Sequence, residues 1–159
     1  MIRRSSLLAL SASLLLAACA TTPAPAPLAD TLARDPQLST FNRLVAQAGL
    51  TDELRAQGPL TVFAPSDDAF KAVPAKTMEA LAADPAQLKA VLTYHILDGR
   101  VAAADVKLGP AKTRQGASVN LAKAGTFVTV DDAVVQQADV TATNGVAHVV
   151  DRVLMPPKK

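Results

Sequence analysis

Two histidines, two pairs of adjacent aspartates and one cysteine are the residues of this 159-residue chain whose types best suit chemistry. His95 and His148 could hold a metal or move a proton, Asp67 with Asp68 and Asp131 with Asp132 could meet a cation, and Cys19 could act as a nucleophile. Their spacing argues against most of this. The chain has no His-Glu-x-x-His and no Gly-x-Ser-x-Gly, and its one thiol has no second cysteine to pair with. Asp67 and Asp68 follow Ser66, a natural N-cap, where first-turn carboxylates interact well with the helix dipole, and Asp131 and Asp132 fall where a strand must turn. Leu88, Val91, Leu92 and His95 stand at i, i+3, i+4 and i+7, so His95 is expected to face the core with its ring nitrogens satisfied by neighbours. Asp151 alternates onto a face with Ala147, Val149 and Val153. A carboxylate there must be hydrogen-bonded, to main chain or to a hydroxyl such as Thr61, to be tolerated. These residues therefore read as structural, with no catalytic residue, no metal and no cofactor expected.

Composition narrows the partners. Half of the residues are hydrophobic, enough for one core but not for two domains. The formal charge is +2, and without Arg3 and Arg4 the remaining 14 Lys and Arg balance 14 Asp and Glu. A balanced chain is a poor match for nucleic acid, which needs clustered cations. With one Tyr, four Phe and no Trp, little is left for stacking on bases or sugar rings.

The elements that position these residues follow from periodicity. Leu60, Val62 and Ala64 alternate with Thr61 and Phe63, so both faces of this segment suit a strand buried on two sides; Pro65 ends it and Ser66 opens a helix ahead of Phe70. Before it, Leu38, Phe41, Leu44, Val45 and Ala48 form a helical stripe closed by Gly49, and Thr51 starts a shorter helix. After it, Pro74 opens a helix with Met78 and Leu81, and Asp84 with Pro85 caps the next, which carries Tyr94 and His95. From residue 126 onward β-branched runs predict an antiparallel meander, with Asn144 and Gly145 as a hairpin turn. Lys107 to Gln115 and Lys123 to Gly125 read as polar loops free to bind.

The segment Thr61-Val-Phe-Ala-Pro-Ser-Asp-Asp-Ala-Phe70 resembles the first signature of the fasciclin domain family. Tyr94-His95 followed by Ile-Leu-Asp-Gly resembles its Tyr-His pair, and Asn144-Gly-Val-Ala-His-Val-Val-Asp151 resembles its second signature. The resemblance spans about Asp35 to Pro157. It implies an α+β fold, an antiparallel β-sandwich or wedge with several helices packed around one end, in which Thr61, Phe63, Pro65, Ser66, Asp67, Phe70, Tyr94, His95, Gly145, His148 and Asp151 are structural-motif residues. It also implies a non-enzymatic adhesion or protein-interaction module. A periplasmic binder of a polysaccharide or small ligand is the second reading, and a hydrolase of unrecognised type the third.

Residues 1 to 18 have the parts of a secretory signal: basic Arg3 and Arg4, an apolar run from Leu7 to Leu16, and small Ala17 and Ala18. Leu16-Ala-Ala-Cys19 resembles the bacterial lipobox, in which the cysteine is lipidated and becomes the new N-terminus. Residues 19 to 34, rich in Ala and Pro, are then a spacer, and 35 to 157 the domain. Ala20, where an Asp would favour inner-membrane retention, implies a domain anchored to the outer membrane by its acyl chains, with an envelope or extracellular protein or a matrix component as its partner. Each buried methylene contributes about 0.8 kcal/mol to such an anchor. Cys19→Ser should abolish acyl labelling of the chain and release it from the membrane fraction; equal labelling of both forms would remove the anchor.

Overall fold

The computed structural model describes residues 24–56 and 58–157. Six α-helices and seven strands follow one another in the order α1 (Leu28–Ala33), α2 (Ser39–Gln47), α3 (Thr51–Arg55), β1 (Leu60–Pro65), α4 (Asp67–Lys71), α5 (Ala75–Ala83), α6 (Pro85–Tyr94), β2 (Ile96–Asp98), β3 (Gly109–Lys112), β4 (Ser118–Ala124), β5 (Phe127–Val130), β6 (Ala133–Ala142) and β7 (Gly145–Val150). A 3-10 turn over Pro36–Leu38 leads into α2.

The local signals act as their chemistry dictates. Ser66 Oγ accepts the Ala69 N–H at the start of α4, and Asp84 Oδ1 accepts from Ala86 and Gln87 at the start of α6. At the end of α2, Gly49 adopts φ +69°, while the Gly49 and Leu50 N–H groups donate to the Ala46 and Val45 carbonyls. This is a Schellman cap, and it turns Leu50 fully inward.

The strands form one sheet in the order β2-β1-β7-β6-β5-β4-β3. A single bridge from Leu97 to Thr113 brings its two ends together, so the sheet is a nearly closed wedge. From β3 to β7 neighbouring strands are antiparallel, as the meander predicts, but β1 lies parallel to β7, with Leu60 opposite Gly145 and Pro65 opposite Val150. The long strand β6 bends where its register with β7 shifts between Val135 and Val140, and Asp139 there takes φ +57°. That bulge lets one strand serve both halves of the wedge.

Strand β1 separates two cores. Leu60, Val62 and Ala64 join Ala147 and Val149 against the helices, through Leu28, Leu32, Phe41, Leu54 and Leu88. Phe63 joins Val150, Tyr94, Leu97, Val119, Leu121 and Val130 inside the wedge. Both faces of β1 and of β7 are buried along their whole length. At about 1.5–3 kcal/mol for each fully buried Val, Leu or Phe, these two strands carry the largest hydrophobic share per residue.

Three expectations need correction. The spacer does not extend to residue 34: Leu28 and Leu32, at i and i+4 on α1, are fully buried in the helical core, so the folded unit begins before residue 35. Residues 107 to 115 and 123 to 125 are not plain loops, since they contain β3 and the end of β4. The β6–β7 turn consists of Thr143 and Asn144, whereas Gly145 is already in β7 opposite Ala142. Glycine is required there for a different reason: a Cβ at Gly145 would lie 2.1 Å from the Leu60 carbonyl oxygen and 2.8 Å from Leu28 Cδ1. Backbone cannot yield as a side-chain tip does. Gly145→Ala should therefore cost more than about 3 kcal/mol, or prevent folding, when unfolding is followed by circular dichroism in urea; a loss under about 1 kcal/mol would mean that β1 and β7 are free to separate.

Candidate functional site: a structural seam and two exposed surfaces

Of the motif residues, Thr61, Phe63, Pro65, Gly145 and His148 lie on the β1–β7 ladder itself, and the others fasten the elements around it. The Thr61 hydroxyl donates to the Gly99 carbonyl at 2.7 Å and accepts the Val101 N–H at 2.8 Å. Phe63 stacks on the His148 ring, with centroids 5.5 Å apart. His148 in turn bridges outward: its Nδ1 accepts the Asp139 N–H at 3.2 Å, and its Nε2 lies 2.8 Å from the Val101 carbonyl, the geometry of a neutral ring donating from Nε2. Asp139 Oδ1 accepts the Ala103 N–H, so the bulge, the histidine and the 99–106 connection lock one another.

His95 caps α6 and has no solvent exposure. Its Nδ1 lies 2.7 Å from the Val91 carbonyl and its Nε2 accepts the Leu154 N–H at 3.0 Å. Both nitrogens are used by the neutral form. Burial pushes its pKa down to about 4, against a smaller upward pull from the Val91 carbonyl. Tyr94 places its hydroxyl 3.0 Å from Asp131 Oδ2 and 3.2 Å from the Ser118 carbonyl, while Asp131 Oδ1 accepts the Asn120 N–H. Burial first, and then the Asp131 carboxylate, push the Tyr94 pKa up to about 12. Asp131 is more than a turn residue, since it joins α6 to the β4–β5–β6 hairpins.

Asp67 likewise does more than open α4. Its two oxygens accept the Ser39 hydroxyl at 2.7 Å and the Thr40 N–H at 2.8 Å, at the first turn of α2. Partial burial raises its pKa, but the bonds from Ser39 and Thr40 together outweigh that and hold it below the usual range. Phe70 packs into the helical core and Pro65 ends β1 beside Val150. Asp151 bonds to main chain, the first of its two expected kinds of partner, and not to the Thr61 hydroxyl. β7 ends at Val150, and Asp151 Oδ1 accepts the Val134 N–H at 2.7 Å, on β6 and far from any bond with Thr61.

The sequence reading missed Asn144. Its Oδ1 accepts the Leu28 N–H, its Nδ2 donates to the Leu54 and Ala56 carbonyls, and its main-chain carbonyl accepts the Leu60 N–H, so one residue ties α1, α3 and β1 together. Position in a turn hid this role. Lys123 was missed too: its ammonium donates to the Ala103 and Ala104 carbonyls and is not free to bind. Arg114 pairs with Asp98 at 2.7 Å.

Among the described residues no three of His, Cys, Asp and Glu gather closely enough to hold a metal ion, and no helix is long and apolar enough to cross a membrane. Cys19 and residues 1 to 18 lie outside the described residues. Two surfaces stand out among the described residues. On the outer face of the wedge Phe127 is 66% and Val134 37% exposed, and Leu108, just before β3, is 75% exposed. On the opposite flank an open groove of about 1240 Å3 runs between α5, α6 and the segment from Arg152 to Pro157.

A FAS1 domain pair from the insect cell adhesion molecule Fasciclin I shares this nearly closed wedge with its helices, superimposing with a TM-score of 0.69 at 19% identity, over 82% of this chain and 51% of that one. Fasciclin domain sequences match residues 36–156, and the chain belongs to the fasciclin domain family. It is 43% identical over 123 residues to protein sll1483 of Synechocystis, covering 74% of this chain and 68% of that protein. It is 33% identical over 136 residues to the cell surface glycolipoprotein MPB83 of Mycobacterium bovis, covering 82% and 61%. The chain thus spans three fifths to two thirds of these bacterial relatives.

The seam makes a pH prediction. His95 is neutral when folded but takes up a proton near pH 6.5 when unfolded, so the unfolded chain binds more protons between those two values and stability falls as pH drops from 6.5 toward 4. The loss should approach about 3 kcal/mol over that window, at about 1.4 kcal/mol per unit. Asp67 contributes in the same direction at lower pH, where its folded carboxylate is protonated. In His95→Gln, urea melts should show a shallower slope between pH 6.5 and 4.5; an unchanged slope would place the titration elsewhere.

Proposed function

We infer that this chain is a non-enzymatic interaction module of the cell envelope, held to a membrane by acyl chains on Cys19 and binding a protein partner through the outer face of the wedge. One observation carries the reading. Register places Val134 opposite Thr129 and Thr129 opposite Ala122, with Phe127 opposite Ala124, so all of these side chains share the face turned away from the buried Val128, Val130 and Leu121. A Phe two thirds exposed on that face, with exposed Leu108 just before the neighbouring β3, is apolar surface that the fold itself does not use. Aromatic and aliphatic anchors of this kind supply most of the energy of protein interfaces.

Family membership supports the class, since one solved neighbour is by name a cell adhesion molecule and one relative a cell surface glycolipoprotein. The seam residues belong to the scaffold in this reading. The Thr61 hydroxyl and the ring nitrogens of His95 and His148, the polar atoms a catalyst or ligand would need from the seam, are already bonded to main chain. Against a polysaccharide stands the shortage of exposed aromatic rings for stacking, with Tyr94 and Phe63 inside.

Phe127→Ser with Leu108→Ser should leave the melting temperature within about 2 °C, because neither side chain is buried. The same pair should remove capture of cross-linked partners from envelope extracts by the lipidated chain. Undiminished capture by the double variant would sink the outer-face reading.

A further inference from the structure

The groove on the helical flank has a chemistry of its own. Its floor is aliphatic, with Leu81, Val91 and Val153, and Met155 stands 42% exposed beside it. Lys76, in the first turn of α5, and Arg152, just past β7, also line it, whereas no Asp, Glu or aromatic residue does. Among the described residues neither cation has a carboxylate within 4 Å. Lys76 and Arg152 thus give the apolar floor a positively charged rim that no acidic lining residue offsets.

We propose that this groove is a second docking site, which takes an acidic and aliphatic peptide segment of a partner protein. The proposal rests on the interaction-module reading and deepens it. Charge complementarity selects the sign: carboxylates of the segment pair with Lys76 and Arg152, speeding encounter and setting register, while Leu- or Ile-type side chains cover Val91, Val153 and Met155. Size selects the class. Small-molecule sites enclose roughly 300–1000 Å3 and bury most of the ligand, whereas this groove, at about 1240 Å3, is larger and opens to solvent, which suits a segment of chain better than a small ligand. The lack of aromatic lining removes the stacking platform that a sugar would need. Binding here would not disturb the seam, because Leu81, Val91 and Val153 already pack against the core from below.

The test uses the full-length chain and three fluorescent dodecapeptides: one of Leu, Ala and Glu, one with Lys in place of Glu, and one with Ser in place of Leu. Fluorescence anisotropy should show the Leu/Glu peptide binding roughly tenfold more tightly than either counterpart, and in the isotope-labelled chain the amide shifts should centre on Ala80, Val91 and Val153. Lys76→Glu with Arg152→Glu should reverse the preference toward the Lys peptide without lowering the melting temperature. Equal affinity for the Glu and Lys peptides, or shifts confined to other surfaces, would overturn the assignment. So would displacement of the peptide by laurate at lower concentration, which would make the groove a site for small amphiphiles, or concentration-dependent self-association abolished by Met155→Ser, which would make the occupant a second copy. If the peptides fail while Phe127 and Leu108 still govern capture from envelope extracts, the groove assignment alone falls and the module reading stands.

Discussion

Leu60 and Gly145 come so close that no side chain fits between them, and much of the architecture follows from that approach. The two strands run parallel from this point, each buried on both faces, so the helical core and the wedge core share one wall. Parallel strands cannot be joined by a tight turn. Here the whole chain between residues 65 and 145 is the connection, and it builds α4 to α6 and β2 to β6 before returning to the start of β1. Asn144 marks the return. Its amide and carbonyl fasten the entry of β1, the end of α3 and the start of α1 at the same place, so the contact is fixed by polar bonds as well as by packing.

Polar groups inside such a doubly buried seam are costly unless bonded, and the structure resolves this with partners of one kind. Thr61, His95 and His148 each bond to main-chain groups of connections that have no strand partners: 99–101, 139 and 154. The side chains thus do for irregular segments what the ladder does for strands. None of the described buried side-chain polar atoms is left without a partner. A hydrophobic replacement would fill the space but leave the Leu154 or Val101 main-chain groups orphaned, and this explains why histidines stand where aliphatic side chains would otherwise fit.

Much of this was legible from residue types, and the misses have physical causes. The two-faced run from Leu60 to Ala64, the stripe ending in His95 and the Ser66, Asp84 and Gly49 caps are local signals, and local chemistry decided them. Strand direction is not local. A period of two says which face is buried but not which way the neighbour runs, so Gly145 was read as a turn residue when it is a close-approach residue. α1 was hidden because Leu28 and Leu32 follow a proline-rich stretch and offer only one turn of periodicity. β3, with Gly109 and Pro110, has no strand propensity to read; it pairs because β4 presents an edge. Asp151 meets main chain as expected, but periodicity could not choose between main chain and the Thr61 hydroxyl, nor name Val134, because that choice depends on how β6 lies beside the end of β7.

What the seam absorbs also determines what is left for recognition. Charge is nearly balanced over the whole chain but not within the groove of the helical flank, which Lys76 and Arg152 line and no Asp or Glu does. Likewise the large apolar side chains left exposed are not those of the family signatures, which are buried, but Leu108, Phe127 and Met155, which lie outside or beyond them. Such residues can change without cost to either core, because their side chains contribute little to folding. A scaffold whose described buried side-chain polar groups are all satisfied can keep one fold while the exposed residues of its outer strands and helical flank vary. Function in this chain is therefore to be sought where the signatures are not.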